Sequence, residues 1–173
     1  MDDTTPLGEV KRWVWERAKG DGVHCPCCGQ MAKVYARHID SGMARSLILM
    51  WRAARFDWQH IPTTVGPTRS RQEGKLAYWD LITEAGDITR EDGGRAGWWR
   101  VTQKGETFVR GKLWVPYTAY VYSGKKDKVL RIEGKPWGIK DALGKKFDYE
   151  ELMGEAFEED PPKEPPQTLW SDI

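Results

Sequence analysis

Apolar residues recur along this chain with two different periods, and the switches between them mark its elements. Val10, Trp13 and Val14 stand at helical spacing after Thr5-Pro6. Thr5 is the expected N-cap and Pro6 the first helical residue, with Gly20-Asp21-Gly22 closing the run. Residues 31–37 alternate apolar and polar, which predicts a strand. Ser41 is the expected cap of a second helix reaching residue 55. Its apolar positions Leu47, Ile48, Met50 and Trp51 cover enough of the circumference to predict burial on several sides. Residues 58–62 read as a short helical turn stopped by Pro62, and 63–70 as loop.

In the middle of the chain, Leu76, Trp79, Ile82 and Ala85 form an apolar stripe. It predicts a helix over 75–85 with Gly86 as its C-cap. Strands are expected at 87–91 and 98–101, around the glycine-rich turn Asp92-Gly93-Gly94-Arg95-Ala96-Gly97. Thr102 then caps a helix running to residue 110. A second hairpin is expected from 113–121 and 128–132, followed by a short strand at 137–140 and a helical turn at 147–153. EAFEEDPPKEPPQ, residues 155–167, predicts disorder and leaves Leu169 and Trp170 on a tether. No internal repeat is visible. The order helix, turn, strand, glycine-rich tip, strand, helix predicts an α+β fold with a winged helix-turn-helix core. The expected divisions are 1–40 (N-terminal helix and cysteine segment), 41–112 (winged helix), 113–154 (β-hairpin extension) and 155–173 (acidic tail).

Composition sharpens this picture in three places. At 173 residues and 39% hydrophobic, the chain suits one compact domain with appendages. It has no apolar run of about 18 residues, and its first residues carry neither a basic nor an apolar signal region, so no membrane partner and no secretory leader are expected. Three cysteines within four positions do not make a disulfide framework, which suggests a reducing cytoplasmic setting. The net charge of +1 conceals an asymmetry. Residues 1–147 hold 26 Lys and Arg against 17 Asp and Glu, whereas residues 148–173 hold one Lys against 9 acids. A basic body with an acidic tail suits a polyanion partner and a tail that competes with it; a solvated surface with a solubilising tail has the same signature.

On the predicted helix, Arg71, Lys75 and Tyr78 fall at i, i+4 and i+7, on a face free for phosphates or bases. Arg69 and Gln72 sit near the same end, and a glutamine can pair with adenine through two hydrogen bonds. Arg95, between small residues at the wing tip, suits a minor groove, with Arg100 and Lys104 flanking it. Asp80, Glu84, Glu91 and Asp92 lie close by and oppose that use. Of Trp98 and Trp99, strand alternation turns one inward, leaving at most one to stack on a base. Lys125, Lys126, Lys128 and Arg131 make the second hairpin basic, fit either for phosphates or for blunting a strand edge.

Cys25-Pro26-Cys27-Cys28-Gly29 has the C-P-x-C-G form of a zinc knuckle, in which two thiolates converge on one ion and glycine permits the tight turn. A structural zinc needs two more ligands. His38 is the expected third beside Cys25 and Cys28, and His60, Cys27, His24 or Asp40 is available as the fourth. An inert turn or a redox pair has the same sequence, although a redox pair needs a βα setting with the motif at a helix start, which this sequence supports poorly. No phosphate-binding glycine loop, nucleophile elbow or zinc-protease motif occurs, so an enzyme is not expected.

LITEAGDITRED together with WWRVTQKGETFV resembles the recognition helix, wing and following helix of MarR-type and related bacterial winged-helix proteins. The recurring marks there are LxxxGLIxRE, a Gly/Asp-rich wing and xLTxKGxxxL. The likeness covers roughly a quarter of the chain, and TxKG after a strand is its most specific part. KLAYWDLI and DALGKKFDYEELM also resemble small uncharacterised phage and bacterial proteins, which implies no particular activity. The resemblance implies a non-enzymatic double-stranded DNA-binding protein of a bacterium or phage, acting in transcription regulation or genome handling. The alternative is a winged-helix module that binds a protein partner. Winged helices that read DNA often dimerise, but no long coiled-coil helix arranges it here.

Overall fold

The computed structural model describes residues 4–66, 72–85, 97–122 and 129–154. Their described parts group into two compact units, one from Met1–His38 with Thr118–Glu133, the other from Ile39–Tyr117 with Gly134–Ile173.

In the first unit, helix α1 spans Leu7–Ala18. Its N-cap is Pro6, not the expected Thr5, and the amides of Glu9 and Val10 donate to the Pro6 carbonyl. Buried Val10 and Ala18 seat the helix against a small hairpin of β1, Val23–His24, and β2, Met31–Ala32. The single strand expected over 31–37 is two strands. After Lys33 the chain enters β3, Val34–Arg37, which leaves β2's sheet and pairs antiparallel with β7, Val115–Tyr122. Strand β8, Val129–Trp137, completes that sheet in the order β3-β7-β8. The expected strand at 137–140 is absorbed into β8 and a following helix. The basic residues Lys125, Lys126 and Lys128 fall outside the described residues. Arg131 is engaged by Glu133 at 3.1 Å and by the Tyr120 ring at 4.2 Å.

The second unit is built around α2, Ser41–Ala54, whose residues Met43, Leu47, Ile48, Met50 and Trp51 are fully buried. Each such side chain contributes roughly 1.5–3 kcal/mol of transfer free energy. Asp40, not Ser41, caps this helix by accepting the Met43 amide at 2.9 Å. Strand β4, Gln59–His60, and helix α3, Ile61–Val65, follow. Pro62 therefore begins a helix, where it was expected to end one. Its missing N–H costs nothing in a first turn.

A 3-10 helix, Glu73–Trp79, leads into β5, Ile82–Glu84, then β6, Trp98–Val101, and helix α4, Gln103–Val109. The strands pair antiparallel in the order β4-β6-β5. Helices α5, Ile139–Leu143, and α6, Tyr149–Met153, close the far side of α2, which packs on α3, α4, α5, α6, β6 and the 3-10 helix. The Tyr149 hydroxyl donates to the Val109 carbonyl at 2.7 Å, tying α6 to the end of α4. Burial first and the Glu150 charge second, with Arg110 opposing, push the Tyr149 phenol up to about 12. The α+β class stands.

Thr102 and Gly105 give the TQKG segment a structural meaning. Thr102 caps α4 by accepting the Gly105 amide at 3.0 Å, while its hydroxyl donates to the Asp80 carbonyl at 2.6 Å. A Cβ on Gly105 would sit directly on the Leu81 carbonyl oxygen and 2.8 Å from the Val101 side chain. Only glycine lets α4 lie this close to the strand entry.

Candidate nucleic-acid interface and cysteine knuckle

The helix expected over 75–85 does not form. Asp80 adopts a left-handed conformation (φ 59°) and its amide turns back onto the Leu76 and Ala77 carbonyls, ending the 3-10 helix at Trp79. The apolar run explains why. Leu76, Ala77, Tyr78, Trp79, Leu81 and Ile82 are all buried, so the segment needs burial on every side rather than along one stripe. Trp79 fixes it by donating its indole N–H to the Pro116 carbonyl at 2.8 Å.

Several expected contacts change as a result. Tyr78 is buried in the core, where the sequence predicted it on an open face. Lys75 donates to the Gln72 side chain at 2.5 Å at the start of the 3-10 helix. Glu73 is buried beside them, with Ser46 donating to it at 3.5 Å. Arg69, Arg71 and Arg95, the strand expected at 87–91 and the Gly86 cap lie outside the described residues. The strand that pairs with β6 on this side is β5, several residues earlier than expected.

The structure brings together a group that the sequence only partly announced. Alternation along β6 turns Trp99 and Val101 inward and Trp98 and Arg100 outward. Trp99 lies against Gly74, where a Cβ would stand 3.3 Å from its ring. On the outer face, His60 of β4 pairs opposite Trp98, with ring centroids 6.0 Å apart. Trp58, just before β4, lies under the Arg100 guanidinium at 4.6 Å. Trp98 and Trp58 keep 37% and 38% of their surface exposed, so two indoles, an imidazole and a guanidinium share one open sheet face. Gly97 permits the close approach: its φ is +67°, and a Cβ there would meet the His60 ring at 3.3 Å. Trp58 and His60 were missed because Pro62 suggested a helical turn. Their spacing around buried Gln59 is a strand's alternation and was the available signal.

The cysteines form the tip of the β1–β2 hairpin. The Cys25 amide donates to the Gln30 carbonyl and the Gly29 amide to the Cys25 carbonyl, both at 2.8 Å. Gly29 takes φ +72°, and its carbonyl hydrogen-bonds His24 Nδ1 at 2.9 Å, clipping the turn shut. The backbone N–H groups of Cys27 and Cys28 hydrogen-bond to the Cys25 sulfur and, with the Cys28 thiol, hold the Cys25 thiol below the usual thiol range. Cys27 moves upward, raised first by desolvation in the turn and then by Cys25 beside it. The third expected ligand is not brought in. Exposed His38, at the end of β3, has its Nδ1 3.3 Å from the Thr118 hydroxyl. No three His, Cys, Asp or Glu side chains converge as a metal site among the described residues. Asp40 is occupied as the α2 cap, and His60 Nδ1 stands 2.8 Å from the Thr63 hydroxyl.

No known family, curated protein or solved structure matches this chain. No helix among the described residues is long and apolar enough to cross a membrane.

Proposed function

We propose that this chain is a non-enzymatic nucleic-acid-binding protein with a winged-helix arrangement, and that its wing side carries the contact. The order α2, β4, α3, 3-10 helix, β5, β6, with strands ordered β4-β6-β5, supports the winged-helix reading. In it, the connection between β5 and β6 corresponds in sequence to a wing, and Arg90 and Arg95 are the cations its sequence adds to Arg100. The observation that carries the reading is the outer sheet face of Trp58, His60, Trp98 and Arg100. Exposed indoles stack on bases of any sequence, and guanidinium groups neutralise phosphate.

The buried 3-10 helix sets the kind of binding. A winged helix that reads base edges needs a polar helix face in the major groove, and here Leu76–Trp79 are core. Binding therefore depends on wing-side stacking and phosphate contacts, with little base preference, in bacterial or phage genome handling rather than at one operator. With about three cations engaged, log Kobs should fall against log salt with a slope of about −3 on duplex DNA. Arg100→Ala should reduce that slope by about one. Anisotropy of labelled duplex and single-stranded oligonucleotides across a salt series tests this, and salt-independent binding by the wild type would refute it.

A protein partner is the second reading. Tryptophan and arginine are also the residues that most often anchor protein interfaces, and Phe56, two residues before Trp58 in the chain, is exposed as well.

A further inference from the structure

The knuckle presents an incomplete coordination sphere on an accessible turn. Cys25 and Cys28 lie on one side of a five-residue turn locked by three hydrogen bonds, and Cys28 is exposed. Two backbone N–H groups already point at the Cys25 sulfur, the arrangement that stabilises a metal-bound thiolate. Sulfurs about 2.3 Å from a tetrahedral ion stand roughly 3.8 Å apart, close to the reach of the hydrogen bond these two thiols share.

Zinc with thiolate ligands closes at four. Cys27 lies beside Cys25 in the same turn, but among the described residues no His, Asp or Glu completes a metal site with these thiols, so the sphere is short of four ligands even with Cys27 counted; all three histidines and all three cysteines of the chain are among those residues. A second copy of the same turn would supply the missing pair. Two-fold symmetry makes one two-thiolate turn complementary to another, because the same half-tetrahedron is needed on both sides of the ion. The hairpin is shaped for such an approach. Its tip residues Pro26 to Gln30 are all exposed, and Met31 beside them keeps 52% of its surface exposed.

We propose that two copies of this chain hold one zinc ion between their β1–β2 hairpin tips, with Cys25 and Cys28 of each copy as the four ligands. Assembly takes one Zn²⁺ and four thiols, releases four protons to solvent and leaves four thiolates on the metal; no sulfur is oxidised. Cys27 is not a ligand, and the proposal rests on none of the residues of the nucleic-acid interface.

The test uses the full chain, reduced and freed of metal, with zinc chloride alone as titrant. Light scattering reads the mass, and elemental analysis of the separated species reads the metal. The expected result is a twofold rise in mass saturating at one zinc per two chains and reversed by chelator. Cobalt substitution should give the charge-transfer absorption of a four-thiolate tetrahedral site. Cys28→Ser, at an exposed position, should abolish both the mass change and metal retention while the metal-free melting curve stays the same; Cys27→Ser should dimerise like the wild type. One zinc per chain with no change in mass, no zinc uptake, or a dimer that forms equally in chelator would each overturn the proposal. So would a cobalt spectrum showing fewer than four thiolates.

Discussion

Gly105→Ala isolates the contact that sets α4 against the strand entry. The added methyl would meet the Leu81 carbonyl oxygen head-on and the Val101 side chain at 2.8 Å. Overpacking a tight core costs about 1–3 kcal/mol where side chains can yield. Here the obstacle is backbone, which puts the cost at about 3. The Leu81 carbonyl also accepts the Thr102 amide at 3.1 Å, and Leu81 is fully buried, so displacing it strains a buried hydrogen bond. That adds about 1–3 kcal/mol. Alanine returns about 1 kcal/mol of helix propensity. The net destabilisation is about 3–5 kcal/mol, which at this chain length lowers Tm by about 6–20 °C. Urea unfolding followed by tryptophan fluorescence measures it, as a lower midpoint at unchanged slope. Gly8→Ala is the control: nothing lies within 4 Å of its Cβ position in α1, so it should be neutral or stabilising by up to about 1 kcal/mol. A Gly105→Ala midpoint within about 1 kcal/mol of wild type would refute the argument.

Three further predictions rest on other parts of the molecule. The Tyr149 phenol is raised to about 12 in the folded chain and titrates near 10 when unfolded, so its contribution is fully present below pH 10 and is lost as pH rises towards 12. On the order of 2 kcal/mol should disappear across that window; Tyr149→Phe should lose about 1 kcal/mol at neutral pH and show a flatter alkaline decline, and an unchanged decline would remove Tyr149 from the account. Deleting residues 155–173, which carry an excess of acidic charge, should tighten binding to a duplex most strongly at low salt; equal affinity would leave the tail as a spacer. Gly97→Ala, which forces a side chain into a left-handed conformation against the His60 ring, should weaken oligonucleotide binding with a smaller loss of stability than Gly105→Ala, and unchanged binding would detach the wing base from the interface.

The parts legible in the sequence were those in which one face is buried and the ends are capped. α1, α2 and α4 announced themselves by helical spacing and capping residues, although the cap of α1 falls one residue later than expected, at Pro6, and that of α2 one residue earlier, at Asp40. The 3-10 helix was not legible because Leu76, Ala77, Tyr78, Trp79, Leu81 and Ile82 are buried together, and an apolar run wrapped on all sides supports several periods at once. The pairing of β3 with β7 joins segments some eighty residues apart, and no local pattern specifies such a partner. In the cysteine segment, C-P-x-C-G correctly indicated the turn and its N–H-to-sulfur bonds. Spacing alone did not show that β3 carries His38 to Thr118. At the sheet face, the Trp98-Trp99 pair was half legible: alternation required one outward ring, and pairing in the sheet identified it as Trp98 and set His60 beside it.

The central claim is that the outer sheet face around β6 contacts nucleic acid. Its most direct measurement is fluorescence anisotropy of a labelled oligonucleotide, single-stranded and duplex, with the full chain and with Trp98→Ala plus Arg100→Ala. The account predicts salt-sensitive binding by the wild type and a loss of about tenfold or more in the double variant, with the urea midpoint preserved because both side chains are exposed. Equal affinity of the double variant and the wild type would contradict it.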